Sequence, residues 1–282
     1  MSALPYLTIT RPQNVAMTGI AVALGFWLSR PGFSGRSFVV LLLLVAAAGC
    51  AAAYGNVAND LKDVETDRVS HPARPLPRGE ISMVAAWTFL LLLALLSAVF
   101  AWLVSPLHAV ATAIPLALLA AYALFLKGTP LVGNIVVSML VSYALLFGGI
   151  GAPGFDRLLL PALLAFLLNF MREIIKDIQD EPGDRSAGIR TTAAIPGPVI
   201  RTILYCVTAF YCGLLYLPAL LRQYGRVYAI ACTAVVLPLC IAWTVSFAGK
   251  NWRTRLSLLS TMLKIEMAAG LAALAADQLW GK

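Results

Sequence analysis

Long runs of apolar residues, separated by short polar segments, extend along the whole chain. A run of about 18 or more apolar residues is long enough to cross a bilayer as a helix. Nine such runs are present, at roughly 13–30, 37–55, 83–104, 107–126, 131–150, 157–175, 199–220, 226–247 and 258–279. Because backbone amides in hydrocarbon must be hydrogen-bonded within the chain, these spans are predicted to be helices. The predicted fold class is an all-α, polytopic membrane protein, with nine transmembrane helices in one bundle and a single domain over residues 1–282.

The composition and charge agree with this pattern, since 60% of the 282 residues are hydrophobic and 12% are charged. The net charge of +8 does not indicate nucleic-acid binding, because the basic residues alternate with the spans. With nine spans, fourteen Lys and Arg residues fall on the side of the N-terminus and six on the opposite side. Basic residues are enriched on the cytoplasmic side of membrane proteins. The N-terminus and the polar windows 56–80 and 172–191 are therefore predicted to face the cytoplasm at the cell membrane.

The two polar windows contain ten of the thirteen acidic residues and share one acidic pattern. Each contains Asp-x-x-Asp-x-x-x-Asp, and the second copy lies 117 residues after the first. On an α-helix the three aspartates of one motif, together with the residue four positions before the first of them, form a single stripe. The two predicted stripes are Asn56, Asp60, Asp63 and Asp67, and Glu173, Asp177, Asp180 and Asp184. The constant offset predicts an internal pseudo-repeat, at about 13–126 and 131–247.

Prolines are expected to end or interrupt the helices that carry these stripes. Pro72, Pro75 and Pro77 are predicted to end the polar extension of the second span, because a residue before proline is disfavoured in a helix. Pro182 and Gly183 are expected to interrupt the second window just before Asp184.

The charges of the two windows indicate a particular chemistry. Carboxylates are costly near a bilayer, and three of them on one stripe repel one another unless a cation is bound. Mg²⁺ prefers oxygen ligands and completes its coordination shell with phosphate oxygens. Basic residues that are suited to bind the remaining phosphate oxygens are Arg68, Arg74, Arg78, Lys127, Lys176 and Arg190. The pattern therefore predicts a Mg²⁺–polyphosphate site, with ordinary solvated charge as the alternative for Glu65, Glu80, Glu181, Arg78 and Arg185.

Polar residues elsewhere carry weaker signals. The five cysteines lie in apolar segments at spacings that fit no metal site, so we expect them to pack as small hydrophobic residues. Lys264 and Glu266 lie two positions apart in the last span, and therefore face different sides of a helix and are not expected to pair. Residues 1–12 lack the features of a cleavable signal peptide, so the first span is expected to be retained.

The residues around the two acidic windows resemble the signatures of the UbiA superfamily of intramembrane prenyltransferases. The first signature is Asn59-Asp60-x-x-Asp63-x-x-x-Asp67, followed by RPLPRGEIS at 74–82. The second is KDIQDEPGDRSAGIRT at 176–191. LKGTPLVGN at 126–134 is similar to the loop of this superfamily between its fourth and fifth helices. The resemblance covers essentially the whole chain and agrees with the count of nine helices.

The resemblance implies a mechanism and a set of residues. A polyprenyl diphosphate would lie with its tail in a central, lipid-open cavity, and Mg²⁺ would bridge its diphosphate to both Asp motifs. Departure of diphosphate would then give an allylic cation that a nucleophile captures. The implied catalytic residues are Asp60, Asp63, Asp177, Asp180 and Asp184, and these residues together with Asp67 are the implied metal ligands. The implied substrate-binding residues are Asn56, Asn59, Arg68, Arg74, Tyr122, Lys127, Glu173, Lys176 and Arg190.

The acceptor is less constrained by the resemblance than the donor. REIIKDI at 172–178, with Gly183 and Asp184, most resembles members that transfer a geranylgeranyl group to the hydroxyl of geranylgeranylglyceryl phosphate in ether-lipid synthesis. Homogentisate prenyltransferases share much of this motif, so an aromatic acceptor of the homogentisate or 4-hydroxybenzoate type is the alternative. A phosphorylated acceptor would need a second basic subsite, for which Lys62, Arg11 and Arg190 are candidates. The expected partners are a polyprenyl diphosphate, a lipid-like or aromatic acceptor and membrane lipids, without nucleic acid.

Two other classes of membrane protein fit the sequence less well. A cation-binding transporter would need polar residues along a pathway through its spans, and these spans contain almost none. A CDP-alcohol type transferase also combines clustered aspartates with a metal, but this chain lacks the Asp-Gly-x-x-Ala-Arg pattern of that class.

Overall fold

The computed structural model of the protein describes residues 3–30, 32, 34–186 and 188–281, and these residues form helices and loops without a β-strand. The α-helices are α1 (Leu4–Ile9), α2 (Pro12–Leu28), α3 (Gly35–Lys62), α4 (Val64–Ser70), α5 (Met83–Val104), α6 (Pro106–Ala121), α7 (Val132–Gly149), α8 (Leu159–Ser186), α9 (Gly197–Leu214), α10 (Leu217–Leu220), α11 (Arg226–Ala231), α12 (Leu237–Ala248) and α13 (Leu256–Trp280). Tyr122–Leu126 and Cys232–Val236 are π-helical, and Phe155–Leu158, Thr192–Ala194 and Trp252–Arg255 are 3₁₀-helical. The predicted all-α fold is confirmed.

Among the described residues, eight helical stretches are long and apolar enough to cross a membrane. They are Gly35–Lys62, Met83–Val104, Pro106–Leu126, Val132–Gly149, Phe155–Arg185, Gly197–Leu220, Arg226–Ala248 and Trp252–Trp280. These stretches coincide with eight of the nine predicted spans. The other predicted span, 13–30, falls on α2, which has 17 residues. At 1.5 Å per residue α2 is about 26 Å long, slightly shorter than a hydrocarbon core of about 30 Å.

Residues 1–127 and 144–152 form one compact unit, in which α3 packs against α1, α2, α5 and α6. The helix α2 also approaches the end of α7 very closely. A Cβ atom on Gly25 would lie 1.9 Å from the carbonyl oxygen of Leu145, and one on Gly148 would lie 2.0 Å from that of Val22. Only glycine permits this approach, in the manner of small residues at other membrane-helix crossings.

The core of this unit supports the first acidic window. Val57 and Leu61 of α3 are buried in one cluster with Leu76 and Ile81, which belong to the loop between α4 and α5. Burial of the two loop residues removes apolar side chains from water and fastens the loop to α3. The apolar positions of the segment 74–82 are therefore anchors that hold its basic residues near the end of α3.

Residues 128–143 and 153–282 form a second compact unit, in which α8 packs against α9 and α13. Asp277 of α13 accepts hydrogen bonds from the backbone amides of Gly225 (2.9 Å) and Tyr228 (3.0 Å), and so caps the start of α11. In α13 Glu266 is buried and Lys264 is exposed. The two do not form an ion pair in the described structure, which confirms that they face different sides. The single domain over 1–282 and the pseudo-repeat at 13–126 and 131–247 stay predictions.

Candidate active site

The first acidic window is built on two helices rather than one. Asn56 and Asp60 lie on α3, which ends at Lys62, and Asp67 lies on α4. Asp63 occupies the junction, with φ −90° and ψ 2°. The prediction that one helix carries the whole stripe from Asn56 to Asp67 is therefore wrong, because the helix ends between Asp60 and Asp63. The bend is favoured because acidic residues are stabilised near a helix N-terminus, and the first turn of α4 contains Glu65 and Asp67.

Each carboxylate of the first triplet is paired with a cationic side chain. Asp60, which is 3% exposed, lies 2.5 Å from Arg11 Nη2 and 3.7 Å from Arg74 Nη1. Arg74 Nη1 also lies 2.5 Å from Asp67, which is likewise 3% exposed. Lys127 forms an ion pair with Asp63. A buried carboxylate without such a partner would be strongly unfavourable, so the basic groups offset part of the cost of placing these aspartates away from water.

The two asparagines of the window have different roles. Asn56 Nδ2 donates a hydrogen bond to the backbone carbonyl of Thr10, 2.7 Å away, and so attaches the N-terminal segment to α3. Asn59 Oδ1 is buried, and no described residue donates a hydrogen bond to it. A buried oxygen without a donor carries a desolvation cost. A ligand that coordinates this oxygen would remove that cost.

The other two predicted residues of this unit are Arg68 and Tyr122. Arg68 pairs with Glu65 at 2.9 Å, and both side chains are exposed. Tyr122 begins the π-helical segment Tyr122–Leu126, and its carbonyl accepts a hydrogen bond of 3.0 Å from the backbone amide of Lys127. Short π-helical turns are frequent at functional sites. Here the turn ends at the lysine that reaches Asp63.

The second acidic window lies on one unbroken helix. α8 extends from Leu159 to Ser186 and includes Pro182. The expected interruption before Asp184 was therefore wrong. Proline removes the backbone hydrogen bond to the carbonyl four residues earlier and crowds that carbonyl. Its effect is confined to the end of α8, because the helix continues for only four residues beyond Pro182. The predicted stripe of Glu173, Asp177, Asp180 and Asp184 is thus carried by a single helix.

Neutral hydrogen-bond donors hold Asp177. Its Oδ2 accepts from Asn134 Nδ2 at 2.9 Å and from the backbone amide of Thr192 at 3.1 Å. The Thr192 hydroxyl donates to Asn134 Oδ1 and accepts from the backbone amide of Leu131 at 2.9 Å. Asn134 and Thr192 are both buried. This network attaches the start of α7 and the segment after α8 to the carboxylate.

The remaining residues of the second window differ in burial and in their ion pairs. Glu173 is buried and pairs with Arg172 at 2.9 Å and with Lys176 at 3.0 Å. Asp180 is exposed and has no ion pair with any described residue. Asp184 is half-buried, and Arg190 is exposed. The window thus presents one carboxylate fixed by neutral groups and another that is open to solvent.

Within the part of the chain that the structure describes, no three His, Cys, Asp or Glu side chains form a group that could hold a metal. Mg²⁺ nevertheless binds through only one or two carboxylates, with phosphate oxygens and water as the other ligands. Asp60 and Asp63 fit that requirement, as do Asp177 and Asp180. Their oxygen donors are of the type that a hard cation prefers.

Three residues of these clusters were not assigned this role from the sequence. The sequence suggests Arg11 only as a residue for an acceptor phosphate, whereas the structure places it on Asp60, 49 positions away in sequence. Asn134 stands at the end of the motif LKGTPLVGN, and that motif was the signal that could have identified it. Thr192 follows the second signature directly and carries no comparable signal.

Residues 18–264 match the sequence model of the UbiA prenyltransferase family, which confirms the resemblance. The chain is 35% identical over 227 residues to the digeranylgeranylglyceryl phosphate synthase of Methanoculleus marisnigri, covering 80% of this chain and 78% of that protein. It is 33% identical over 278 residues to the synthase of the same name from Methanopyrus kandleri, covering 97% of this chain and 99% of that protein.

Two solved structures have similar folds. One comes from work on digeranylgeranylglyceryl phosphate synthase in membranes, with a TM-score of 0.86, 27% sequence identity and coverage of 99% of both chains. The other is a UbiA homologue from Archaeoglobus fulgidus bound to DMAPP and Mg²⁺, with a TM-score of 0.68 and 21% identity, covering 96% of this chain and 99% of that chain. At that identity the second likeness supports the fold alone.

Proposed function

The chain belongs to the UbiA prenyltransferase family, and we propose that it transfers a geranylgeranyl group from geranylgeranyl diphosphate to the hydroxyl of geranylgeranylglyceryl phosphate in ether-lipid synthesis. The observation that carries the proposed chemistry is a set of ion pairs at the end of a long apolar helix. Arg74 lies between Asp60 and Asp67. Lys127 pairs with Asp63. This set combines acidic groups for a metal with basic groups for phosphate. The names of the relatives support the choice of acceptor.

In the first window we assign binding of the leaving diphosphate to the basic residues. Departure of diphosphate develops negative charge on its oxygens, and preorganised cations stabilise that charge. Arg74 is fixed by Asp67 and Lys127 by Asp63, so both cations are oriented before a substrate binds. Guanidinium groups bind phosphate oxygens in a bidentate manner, and the lysine ammonium acts as a point charge. Arg68, Tyr122 and Asn56 are assigned to the edge of this site.

In the second window we assign Asp177 and Asp180 to Mg²⁺, with Asp184 as a further ligand. Asn134 and Thr192 hold the Asp177 carboxylate in one orientation, in the way that outer-shell groups orient metal ligands elsewhere. Lys176 and Arg190 are assigned to phosphate oxygens, and Glu173 orients Lys176. Bound Mg²⁺ would act as a Lewis acid that stabilises the leaving diphosphate.

The allylic carbon that diphosphate leaves behind has to be captured by the acceptor rather than by water. The acceptor hydroxyl releases its proton to the departing diphosphate or to solvent as the new C–O bond forms, while the diphosphate carries away the electron pair of the broken bond. Acidic residues near the leaving group disfavour its release until their charge is neutralised, so the basic partners of the first window are needed for turnover. This assignment favours an enzyme over a cation-binding transporter.

We further propose that α2 is a ninth membrane span and that the donor tail occupies a lipid-open central cavity of a single domain. The excess of basic residues supports an N-terminus and acidic windows on the cytoplasmic side of the cell membrane. Cysteine labelling from each side of sealed vesicles would test this topology. Labelling of a cysteine introduced at Glu65 from the cytoplasmic side alone is the expected result.

The identity of the acceptor is tested by incubating purified protein with geranylgeranyl diphosphate, Mg²⁺ and one acceptor at a time. The acceptors are geranylgeranylglyceryl phosphate, homogentisate and 4-hydroxybenzoate, and products are identified by mass. We expect a product with geranylgeranylglyceryl phosphate, lost when EDTA replaces Mg²⁺. A prenylated aromatic product, without the ether lipid, would instead support the aromatic alternative.

A further inference from the structure

The corner between α1 and α2 places a basic residue on the first acidic window. Arg11 precedes Pro12 and has a φ of 52°, in the left-handed region that residues other than glycine rarely adopt. The corner is held on α3 at two points, by the Asn56 bond to the Thr10 carbonyl and by the Arg11 pair with Asp60. A strained backbone that is fixed in this way is a feature of functional positions.

The two guanidinium groups at Asp60 differ in how firmly they are held. Arg74 binds Asp67 at 2.5 Å and lies 3.7 Å from Asp60, so it keeps an acidic partner if Asp60 is taken by another cation. Arg11 pairs with Asp60 and with no other acidic residue of the described structure, and its side chain is 36% exposed. Arg11 is therefore the cation that can leave Asp60.

A divalent cation on Asp60 would change the balance of charge around Arg11. It would neutralise the carboxylate and repel the guanidinium from a short distance. Because Asn56 would still hold the Thr10 carbonyl, the released side chain would stay within reach of the site. A guanidinium that has lost its carboxylate and stays near a cation-bound anion is well suited to bind phosphate.

We propose that Arg11 is a phosphate-binding residue that rests on Asp60 in the free protein and moves to a phosphate oxygen of a substrate when a divalent cation binds Asp60. This inference rests on the proposed function, since it requires a phosphorylated substrate. The phosphate belongs either to the diphosphate of the donor or to the phosphate monoester of the acceptor. Both present the same oxygen chemistry to a guanidinium.

The test compares wild-type protein with Arg11→Gln and Arg11→Lys. Arg222→Gln is the matched control, because Arg222 also has a positive φ, of 56°, but is exposed and has no ion pair in the described structure. Removing the competing guanidinium is expected to lower the Mg²⁺ concentration for half-maximal turnover. The same change is expected to raise the KM of one phosphorylated substrate at least about tenfold, since a charged hydrogen bond is lost. Arg11→Lys should recover part of that loss.

The direction of these two changes separates the proposal from a structural role. A merely destabilised protein would not bind Mg²⁺ more tightly while binding substrate more weakly. A higher KM for the donor assigns Arg11 to the diphosphate, and a higher KM for the acceptor assigns it to the monoester. Unchanged KM values for both, in an active protein, would overturn the proposal.

A second measurement does not depend on turnover. Thermal unfolding in detergent is followed with Mg²⁺ alone and with Mg²⁺ plus inorganic diphosphate. Arg11→Gln should be stabilised by Mg²⁺ alone more than wild-type protein is, and should gain less from added diphosphate. If wild-type protein makes no product with any acceptor, the proposed function fails, while this measurement still decides the role of Arg11. Equal shifts in both proteins would contradict that role.

Discussion

The two acidic windows have the same spacing of aspartates and opposite local electrostatics. In the first window the carboxylates of Asp60, Asp63 and Asp67 are each neutralised by an arginine or a lysine. In the second, neutral donors hold Asp177, and Asp180 is exposed without an ion pair among the described residues. The first window also bends at Asp63, whereas the second lies on one helix.

This difference shows that the spacing of charges along a helix does not determine how each charge is stabilised. The partners come from distant segments, so two copies of one pattern can have different roles. In the first window each carboxylate has a basic partner. Such an arrangement is suited to exchange a basic side chain for a metal ion on the carboxylate when substrate binds. The second window keeps one carboxylate fixed and another free, which is suited to receive a metal.

The largest effect on turnover and stability together is expected for Asp60→Ala. The change removes a proposed metal ligand and leaves two guanidinium groups beside a site that is largely buried. We expect turnover to fall at least about a hundredfold, as for loss of a charge-stabilising group elsewhere, and stability to fall by about 3 kcal/mol. Initial rates and thermal unfolding measure the two effects. Asp156→Ala, at an exposed aspartate outside the windows, is the control and should change neither.

Asp180→Ala should cause a similar loss of turnover without the loss of stability. Asp180 is exposed and pairs with no described basic residue, so its removal leaves no buried charge behind. We expect turnover to fall at least about a hundredfold and the unfolding midpoint to stay near that of wild-type protein. If Asp180→Ala destabilised the protein as much as Asp60→Ala does, the contrast between the windows would be wrong.

Thr192→Val tests the neutral network of the second window. Valine keeps the shape of threonine and the backbone amide that binds Asp177, but it removes the hydroxyl that joins Asn134 to Leu131. Leaving these buried groups unpaired is expected to cost about 1–3 kcal/mol of stability. Because Asp177 would be held less firmly, the Mg²⁺ concentration for half-maximal turnover should rise roughly tenfold, in line with other outer-shell changes. The control Thr202→Val replaces an exposed hydroxyl that bonds only within α9.

Arg68→Gln is expected to have the smallest effect. Its ion pair with Glu65 is exposed, and exposed pairs contribute roughly 0–1 kcal/mol. Turnover should fall by no more than about threefold, which corresponds to less than 1 kcal/mol. A loss of tenfold or more in the rate at saturating Mg²⁺ would instead place Arg68 among the residues that bind the leaving diphosphate.

Much of the fold follows from the sequence, because a membrane requires long apolar helices whatever their packing. The predicted spans coincide with eight helical stretches and with α2. Helical phase places Asp60 beside Asn56 and Asp177 beside Glu173 without knowledge of any neighbour. These features are local, so local pattern is sufficient to predict them.

The features that the sequence did not predict depend on distant contacts or on marginal local energies. The pair of Arg11 with Asp60 and that of Asn134 with Asp177 join segments 49 and 43 positions apart. No periodicity specifies such pairs. The bend at Asp63 and the continuity of α8 through Pro182 are decided by small differences at helix ends, where capping and packing outweigh the proline signal.

Release of diphosphate from geranylgeranyl diphosphate tests the central claim most directly, because both windows are assigned to the leaving group. It is measured with Mg²⁺ and geranylgeranylglyceryl phosphate for wild-type, Asp60→Asn and Asp180→Asn proteins, whose asparagines keep the shape and remove the charge. We predict Mg²⁺-dependent release by wild-type protein and a loss of at least about a hundredfold in both variants. Release at the wild-type rate by either variant, in folded protein, would contradict the claim that both windows bind the metal and the diphosphate.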